Sequence, residues 1–199
     1  MAFGGWCRTF LRPQFAKLSR THSSNRISWR PVLVPWSKST TIASKSPTPG
    51  NSLISADRIL DERRARNEKL AATMRSFGLC EERGRGLDKS LIEIEAQHLP
   101  APDFISSENS MRVVLFAPKS FAQMSKAEKL RACFFHCVLR WLTHDYMSNA
   151  TLRERFSLPP EEYQAVSAII AESIKFDRIA PADPDQGRRN ARCVPYWAA

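Results

Sequence analysis

The sequence predicts an α+β protein with a disordered start, a mixed segment of helices and one strand, and a C-terminal unit of three helices and a hairpin. A β-rich run at residues 111–116 has the length of one strand and follows two helical patterns. Beyond residue 122, three amphipathic patterns precede two short extended runs that a polar loop joins. These observations predict helices and strands grouped along the chain rather than alternating.

The net charge of +10 is concentrated at one end of the chain. Residues 1–50 contain eight Lys or Arg and no Asp or Glu, whereas residues 51–199 contain 22 basic and 20 acidic residues. Residues 1–46 are rich in Ser, Thr and Pro and show no period of 2 or 3.6, so we predict a disordered basic segment. An organelle transit peptide and a non-native start translated upstream of a truncated gene stay open as alternatives.

The cysteines and the hydropathy indicate the compartment of the protein and whether it binds a membrane or a metal. Five cysteines without a disulfide-framework spacing indicate a reducing compartment. We therefore expect a cytoplasmic protein, or an organellar one if residues 1–46 are a transit peptide. No apolar run approaches the roughly 18 residues that span a bilayer, so no membrane partner is expected. Cys133 and Cys137 lie near His136, but they fall in an apolar helical stripe without a second ligand pair, so no metal is expected.

Residues 47–117 are predicted to form a first domain. The run PTPGNSL at 47–53 has the composition of a turn. A helix is expected to open at Asn67 and to end at Gly78, followed later by the proline-restricted connection 99–104. The apolar side of that helix is formed by Leu70, Met74 and Phe77.

Two glycines one residue apart, Gly84 and Gly86, flank Arg85 at the start of the next helical pattern. Backbone amides at a helix N-terminus form an anion site, and glycine lets a phosphate approach closely. A phosphate-binding turn is one interpretation, and a tight turn that only starts the helix is the other. The residues expected to point inward from this helix are Leu87, Leu91, Ile94 and Ile92.

Residues 122–199 are predicted to form a winged-helix domain. Ser125 and Glu128 form a capping box at the start of the first helix, and Ser148 can cap the second. The second helix is expected to turn Leu152 and Phe156 inward and Arg153, Glu154 and Arg155 outward. The third is expected to turn Tyr163, Val166, Ile169, Ile170 and Ile174 inward.

Residues 177–180 and 191–194 are predicted to form the hairpin of this domain. Such a helix-turn-helix can place its third helix in a major groove and its hairpin tip on phosphates. The candidate DNA-binding residues are Gln164, Ser167 and Lys175 on the helix and Arg188, Arg189 and Arg192 at the hairpin tip. The same helix also exposes Glu161, Glu162 and Glu172, so a winged helix that serves protein contacts is the alternative.

The order of these motifs resembles one protein family. The chain contains PTPG, RNEKLA, EERGRG, LPAPDF and MRVVLF in order, and its three-helix unit ends in RCVPYWA. It resembles the C-terminal part of RecG-like, AlbA-type transcriptional regulators. Those proteins carry a divergent ATP-binding domain of the GHKL type (gyrase, histidine kinase and MutL) followed by a winged helix. The resemblance covers about residues 47–198 and implies a truncated GHKL-like α/β segment followed by a winged helix-turn-helix.

The resemblance also implies a nucleotide site. Pro49-Gly50 aligns with the family's NPG turn, although Thr48 replaces the asparagine. Gly84 and Gly86 align with its GSG box, in which Arg85 replaces the serine, and Arg66-Asn67 aligns with its RN pair. The implied nucleotide-binding residues are Pro49, Gly50, Asn67, Gly84, Arg85 and Gly86. ATP is the implied cofactor, with its binding weakened or lost.

One departure from the family bears on catalysis. The family's helix with the glutamate and asparagine that activate water and hold magnesium should precede residue 47, where this chain has the basic segment. The family's AlbA-type DNA-binding domain is also missing. We therefore expect a fragment that is not an enzyme, because phosphoryl transfer depends on charges positioned around the phosphates.

Three functional interpretations remain, from different classes. The first is a truncated regulator whose winged helix binds double-stranded DNA, which a steep salt dependence of affinity would reveal. The second is a nucleotide-binding or protein-interaction module completed by a partner chain or as a homo-oligomer, which thermal stabilisation by ATP would reveal. The third is a non-functional truncated product, which poor folding of residues 47–117 would reveal.

Overall fold

The computed structural model describes residues 42–50, 52–62, 64–79, 86–183, 185–187 and 191–199, and within them the protein is α+β. The strands are β1 Ile42–Pro49, β2 Asp103–Ser107, β3 Ser110–Phe116, β4 Ile179–Pro181 and β5 Cys193–Pro195. The α-helices are α1 Glu68–Ser76, α2 Gly86–Ala96, α3 Lys126–Leu142, α4 Asn149–Arg155 and α5 Tyr163–Lys175. Short 3-10 helices lie at Ala56–Arg58, Phe121–Gln123, Pro160–Glu162 and Tyr196–Ala198. None of the helices in these ranges is long and apolar enough to cross a bilayer.

The first sheet is antiparallel, with the strand order β1-β3-β2. The strand predicted at 111–116 is confirmed as β3. The prediction of disorder up to residue 46 is wrong for residues 42–46, because they lie in β1 and pair with β3. The free edge of β3 satisfies the backbone groups of that segment, and this pairing does not require a period in its side chains. The rest of the predicted disordered segment lies outside the described residues.

Helix α1 begins and ends where the sequence predicts. The Asn67 side chain accepts a hydrogen bond from the Leu70 amide at 2.9 Å, and Gly78 adopts a φ of +65° just beyond the helix. Its apolar side is nevertheless largely in solvent, since Phe77 is 74% exposed. In α2, Leu91 is buried as expected, but Ile92 is 51% exposed. Consecutive helical residues point about 100° apart, so the two cannot share one face.

Helix α3 lies at the centre of the structure. Ser125 and Glu128 form the predicted capping box at its start. The predicted apolar stripe is buried through most of its length, but the buried surface extends around the whole helix. Every residue from 132 to 139 is buried. The ring of Phe135 meets that of Phe104 from β2 at 5.8 Å, and the Sγ of Cys133 lies 3.9 Å from the sulfur of Met147. More than one face of α3 is buried, because other elements pack on both sides of the helix.

One hydrophobic core therefore extends across residue 117, where a domain boundary is predicted. Leu91 and Phe104 belong to the same cluster of buried residues as Cys133 and Val166. A second contact region joins the same two parts of the chain, since the Arg178 guanidinium donates to the Asp57 carboxylate at 2.7 Å. The division into units at 47–117 and 122–199 stays a prediction, and the two segments share their apolar interior.

The three helices α3 to α5 are followed by the antiparallel pair β4 and β5, in the predicted order. Ser148 caps α4 as expected. Arg155 was expected outward but is only 5% exposed, because a carboxylate of α2 and a backbone carbonyl lie against its guanidinium. Tyr163 was expected inward but is 46% exposed. An amphipathic tyrosine at the first position of a helix can leave its hydroxyl in water.

Candidate functional site

The turn after β1 requires a glycine. Gly50 has a φ of +90°, and its amide donates to the carbonyl of Asn109 at 2.8 Å. A Cβ at this position would lie 3.4 Å from a terminal guanidinium nitrogen of Arg66. The positive φ favours glycine over any larger residue.

Arg66 brings this turn to the start of α1. The next residue, Asn67, uses its side-chain oxygen to cap the helix through the Leu70 amide. Pro49 pairs with Ser110 as the last residue of β1. The structure therefore places Pro49 and Gly50 at one turn, and the guanidinium of Arg66, the residue before Asn67, reaches that turn.

The glycine pair of the sequence is only partly within the described residues. Gly86 is the first residue of α2, and its carbonyl accepts from the Ser90 hydroxyl at 2.8 Å. Gly84 and Arg85 lie outside the described residues. The prediction that a helix begins at the second glycine is confirmed, and its phosphate-binding role stays a prediction.

The candidate DNA residues of α5 differ in their accessibility. Gln164 and Lys175 are exposed. Ser167 is half-buried, and its hydroxyl oxygen accepts from the side-chain amide of Asn149 at 2.9 Å. Glu172, one of the acidic residues that weaken a DNA interpretation, forms an ion pair with Lys126. Part of the negative charge of this helix is therefore neutralised within the protein.

Arg192 lies at the base of the hairpin and not at its tip, because it directly precedes β5. Its guanidinium carbon is 5.5 Å from the centroid of the Tyr146 ring. The side chain of Gln186 accepts from the Arg192 amide at 2.7 Å and donates to the Arg192 carbonyl at 2.8 Å. Arg188 and Arg189 lie outside the described residues. The backbone of Arg192 is thus held by Gln186, while its side chain stays exposed against Tyr146.

A buried polar cluster joins α2, α3 and α4, and the sequence analysis did not predict it. The Glu95 carboxylate contacts Nδ1 of His136, and Nε of Arg155 lies 3.8 Å from the same carboxylate. Arg155 also donates from Nη2 to the carbonyl of Leu99 at 2.5 Å. Burial lowers the pKa of the Arg155 guanidinium, and the charge of Glu95 acts in the opposite direction.

Arg155 of this cluster, together with Arg131, supports the connection between α2 and β2. Residues 100–102 of this connection are buried, and Pro100 and Pro102 have no amide N–H. Arg131 donates from Nε to the carbonyl of Ala101 at 3.2 Å, and Arg155 supplies the donor for Leu99. Two guanidinium groups from α3 and α4 therefore satisfy carbonyls of the α2–β2 connection. No local sequence signal marks this, since both arginines have the spacing of ordinary solvent-facing residues.

The cysteines are buried thiols. Cys133, Cys137 and Cys193 are free, and the described ranges contain no group of three residues that could hold a metal ion. Burial raises the pKa of Cys133 to about 12 and that of Cys193 to about 11. A thiolate is the nucleophile and the metal ligand, so these protonated thiols act as apolar side chains of the core.

Comparison with known proteins finds one similarity. No curated protein and no solved structure matches the chain. A family model described as "Putative ATP-dependent DNA helicase recG C-terminal" matches residues 41–115. This range contains β1 to β3, the Gly50 turn and the helices α1 and α2. Residues 41–115 are therefore similar to the ATPase-like C-terminal domain of that family.

Proposed function

We propose that the protein is a DNA-binding transcriptional regulator in which residues 122–199 act as a winged helix on duplex DNA. The observation that carries this proposal is the pairing of Met147 with Cys193. The Cys193 amide donates to the Met147 carbonyl at 2.8 Å, and the Met147 amide donates back at 3.2 Å. The extended residue between α3 and α4 thus adds a third backbone segment to the β4–β5 hairpin, which fixes the hairpin relative to the helices.

The contacts with DNA would be of two kinds. Gln164 and Lys175, exposed on α5, can reach a base edge and a phosphate respectively. The hairpin arginines Arg188, Arg189 and Arg192 supply positive charge for the phosphate backbone. The ion pair of Glu172 with Lys126 lowers the repulsion that α5 would otherwise exert on an anion.

The DNA proposal is tested by fluorescence anisotropy of a labelled duplex with the full chain over a salt series. We expect an affinity that falls steeply with salt, with a slope that decreases by about 0.9 for each phosphate contact removed. The test variant is Arg188→Glu, Arg189→Glu and Arg192→Glu combined. The control is Arg64→Glu, Lys69→Glu and Arg75→Glu combined, which makes the same charge change at exposed residues of the 41–115 segment.

The two triple variants distinguish DNA binding at the hairpin from general electrostatic attraction. If the hairpin variant loses binding and the control retains most of it, the hairpin contacts DNA. Equal losses in both variants, or no binding by the wild type at low salt, would contradict the proposal and leave the unit as a protein-contact module.

A second proposal concerns residues 41–115, because the family match and the Gly50 turn favour it. We propose that this segment binds ATP weakly and that the chain alone does not hydrolyse it. Residues 1–50 contain no Asp or Glu that could activate water or hold magnesium. We propose that a partner chain supplies such groups.

Nucleotide binding is tested by thermal unfolding with ATP and magnesium. At a ligand concentration ten times Kd, the folded state gains about 1.4 kcal/mol. We expect Gly50→Ala to abolish the ATP-dependent rise in Tm, since a φ of +90° is one that alanine rarely adopts and the turn would have to shift. Gly78→Ala is the matched control, because Gly78 also has a positive φ but no atom within 4 Å of the added Cβ. The same rise in both variants, or phosphate release above the buffer rate, would contradict the proposal.

A further inference from the structure

Arg153 has no carboxylate partner in the described part of the chain, unlike four of the other described arginines of residues 122–199. Its guanidinium has one side-chain partner, the Asn149 oxygen, which accepts from Nε at 3.0 Å. The paired arginines of this region are Arg131 with Asp103, Arg140 with Asp145, Arg155 with Glu95 and Arg178 with Asp57. The positive charge of Arg153 is therefore available to an external anion.

Asn149 fixes where that charge is presented. Its side-chain nitrogen donates to the Tyr163 carbonyl at 3.1 Å and to the Ser167 hydroxyl at 2.9 Å, so the amide is held by the first turns of α5. The oxygen of the same amide then orients the guanidinium of Arg153, one turn further along α4. The result is a guanidinium held at the edge where α4 meets α5.

This arrangement suits a phosphate. The guanidinium is planar and presents its remaining N–H groups as a fork that matches two phosphate oxygens. Because the Asn149 contact already orders the side chain, less conformational entropy is lost when an anion binds. Glu154, Glu161 and Glu162 are exposed nearby in sequence and oppose an anion. A direct contact at Arg153 is therefore required for a net gain.

We propose that Arg153 binds a backbone phosphate of duplex DNA and that Asn149 is the positioning residue for this contact. The inference rests on the proposed DNA-binding function and adds to it a phosphate contact on α4. That contact sets the distance of α5 from the duplex, because the same amide holds both elements.

The test is anisotropy of a labelled duplex with the full chain and point variants over a salt series. We expect Arg153→Ala to weaken binding roughly tenfold on any duplex sequence and to reduce the salt slope by about 0.9. Arg140→Ala is the matched control, since Arg140 lies in the same unit but is paired with Asp145 at 2.7 Å. It should change the affinity less than about twofold. Arg153→Lys should keep the slope and recover part of the affinity, because it keeps the charge without the fork.

The variant Asn149→Ala distinguishes the positioning role of Asn149 from the phosphate contact of Arg153. It should weaken binding roughly threefold and leave the salt slope unchanged, because Arg153 keeps its charge but loses its orientation. If the wild type binds and Arg153→Ala matches it in affinity and slope, the inference fails while the DNA function stands. If the wild type does not bind duplex DNA, both fail. Circular dichroism melting checks that each variant is folded. If Arg153→Ala is unfolded, the affinity of Arg153→Lys decides the test instead.

Discussion

Replacing Arg155 with alanine is expected to lower the free energy of unfolding by about 3–5 kcal/mol. The substitution leaves the carboxylate of Glu95 without its guanidinium and the carbonyl of Leu99 without its 2.5 Å donor. Glu95 keeps its contact with His136, but because Arg155 is 5% exposed and the Glu95 side chain 20% exposed, the cost includes desolvation of the groups that lose a partner. Urea unfolding followed by circular dichroism measures the change, with the midpoint and slope fitted separately.

Arg153→Ala is the control on the same helix. Arg153 is half-exposed and has no carboxylate partner in the described ranges, so we expect a loss of less than about 1 kcal/mol. A similar loss for the two arginines would show that burial of Arg155 contributes nothing beyond helix propensity. The pair therefore tests the finding that, of the two arginines on α4, Arg155 faces inward.

Phe135→Ala is expected to destabilise the protein by about 3–5 kcal/mol, because it opens a cavity where α3 packs against β2. Phe135 is buried and meets Phe104 edge to face. Since the core is continuous across residue 117, fluorescence and circular dichroism should report the same unfolding transition in the variant.

Phe77→Ala serves as its control, because the same ring is lost from a side chain that is 74% exposed. We expect this variant to lie within about 0.5 kcal/mol of the wild type. Two separate transitions in Phe135→Ala, one for each predicted unit, would contradict a shared core and favour independent domains.

The helices were predictable where the signals are local. The Ser125 capping box, the Asn67 cap and Gly78 each act within one turn of a helix, so they can be read from the sequence. The strand at 42–46 was missed because its stability comes from pairing with β3, 67 to 74 residues further on, and not from its own pattern.

In the candidate sites too, features with a local sequence signal were predictable and features that depend on distant residues were not. Gly50 was predictable because turn glycines have a short-range signature, and the structure confirms its positive φ. The inward turn of Arg155 was not predictable, because its partner Glu95 lies in another helix. The Asn149 and Arg153 contact has an ordinary helical spacing, so only the position of α5 distinguishes it from a surface pair.

The proline connection between α2 and β2 has a consequence for synthesis. The donors for its buried carbonyls are Arg131 and Arg155, which follow it in the chain. When residues 42–116 have emerged from the ribosome, neither arginine has yet left it. The nascent ATPase-like segment must therefore keep these carbonyls hydrated, and Phe104 uncovered, until α3 and α4 emerge. A chain that ends before Arg131 lacks both donors, so its α2–β2 connection cannot reach the buried state seen in the complete fold.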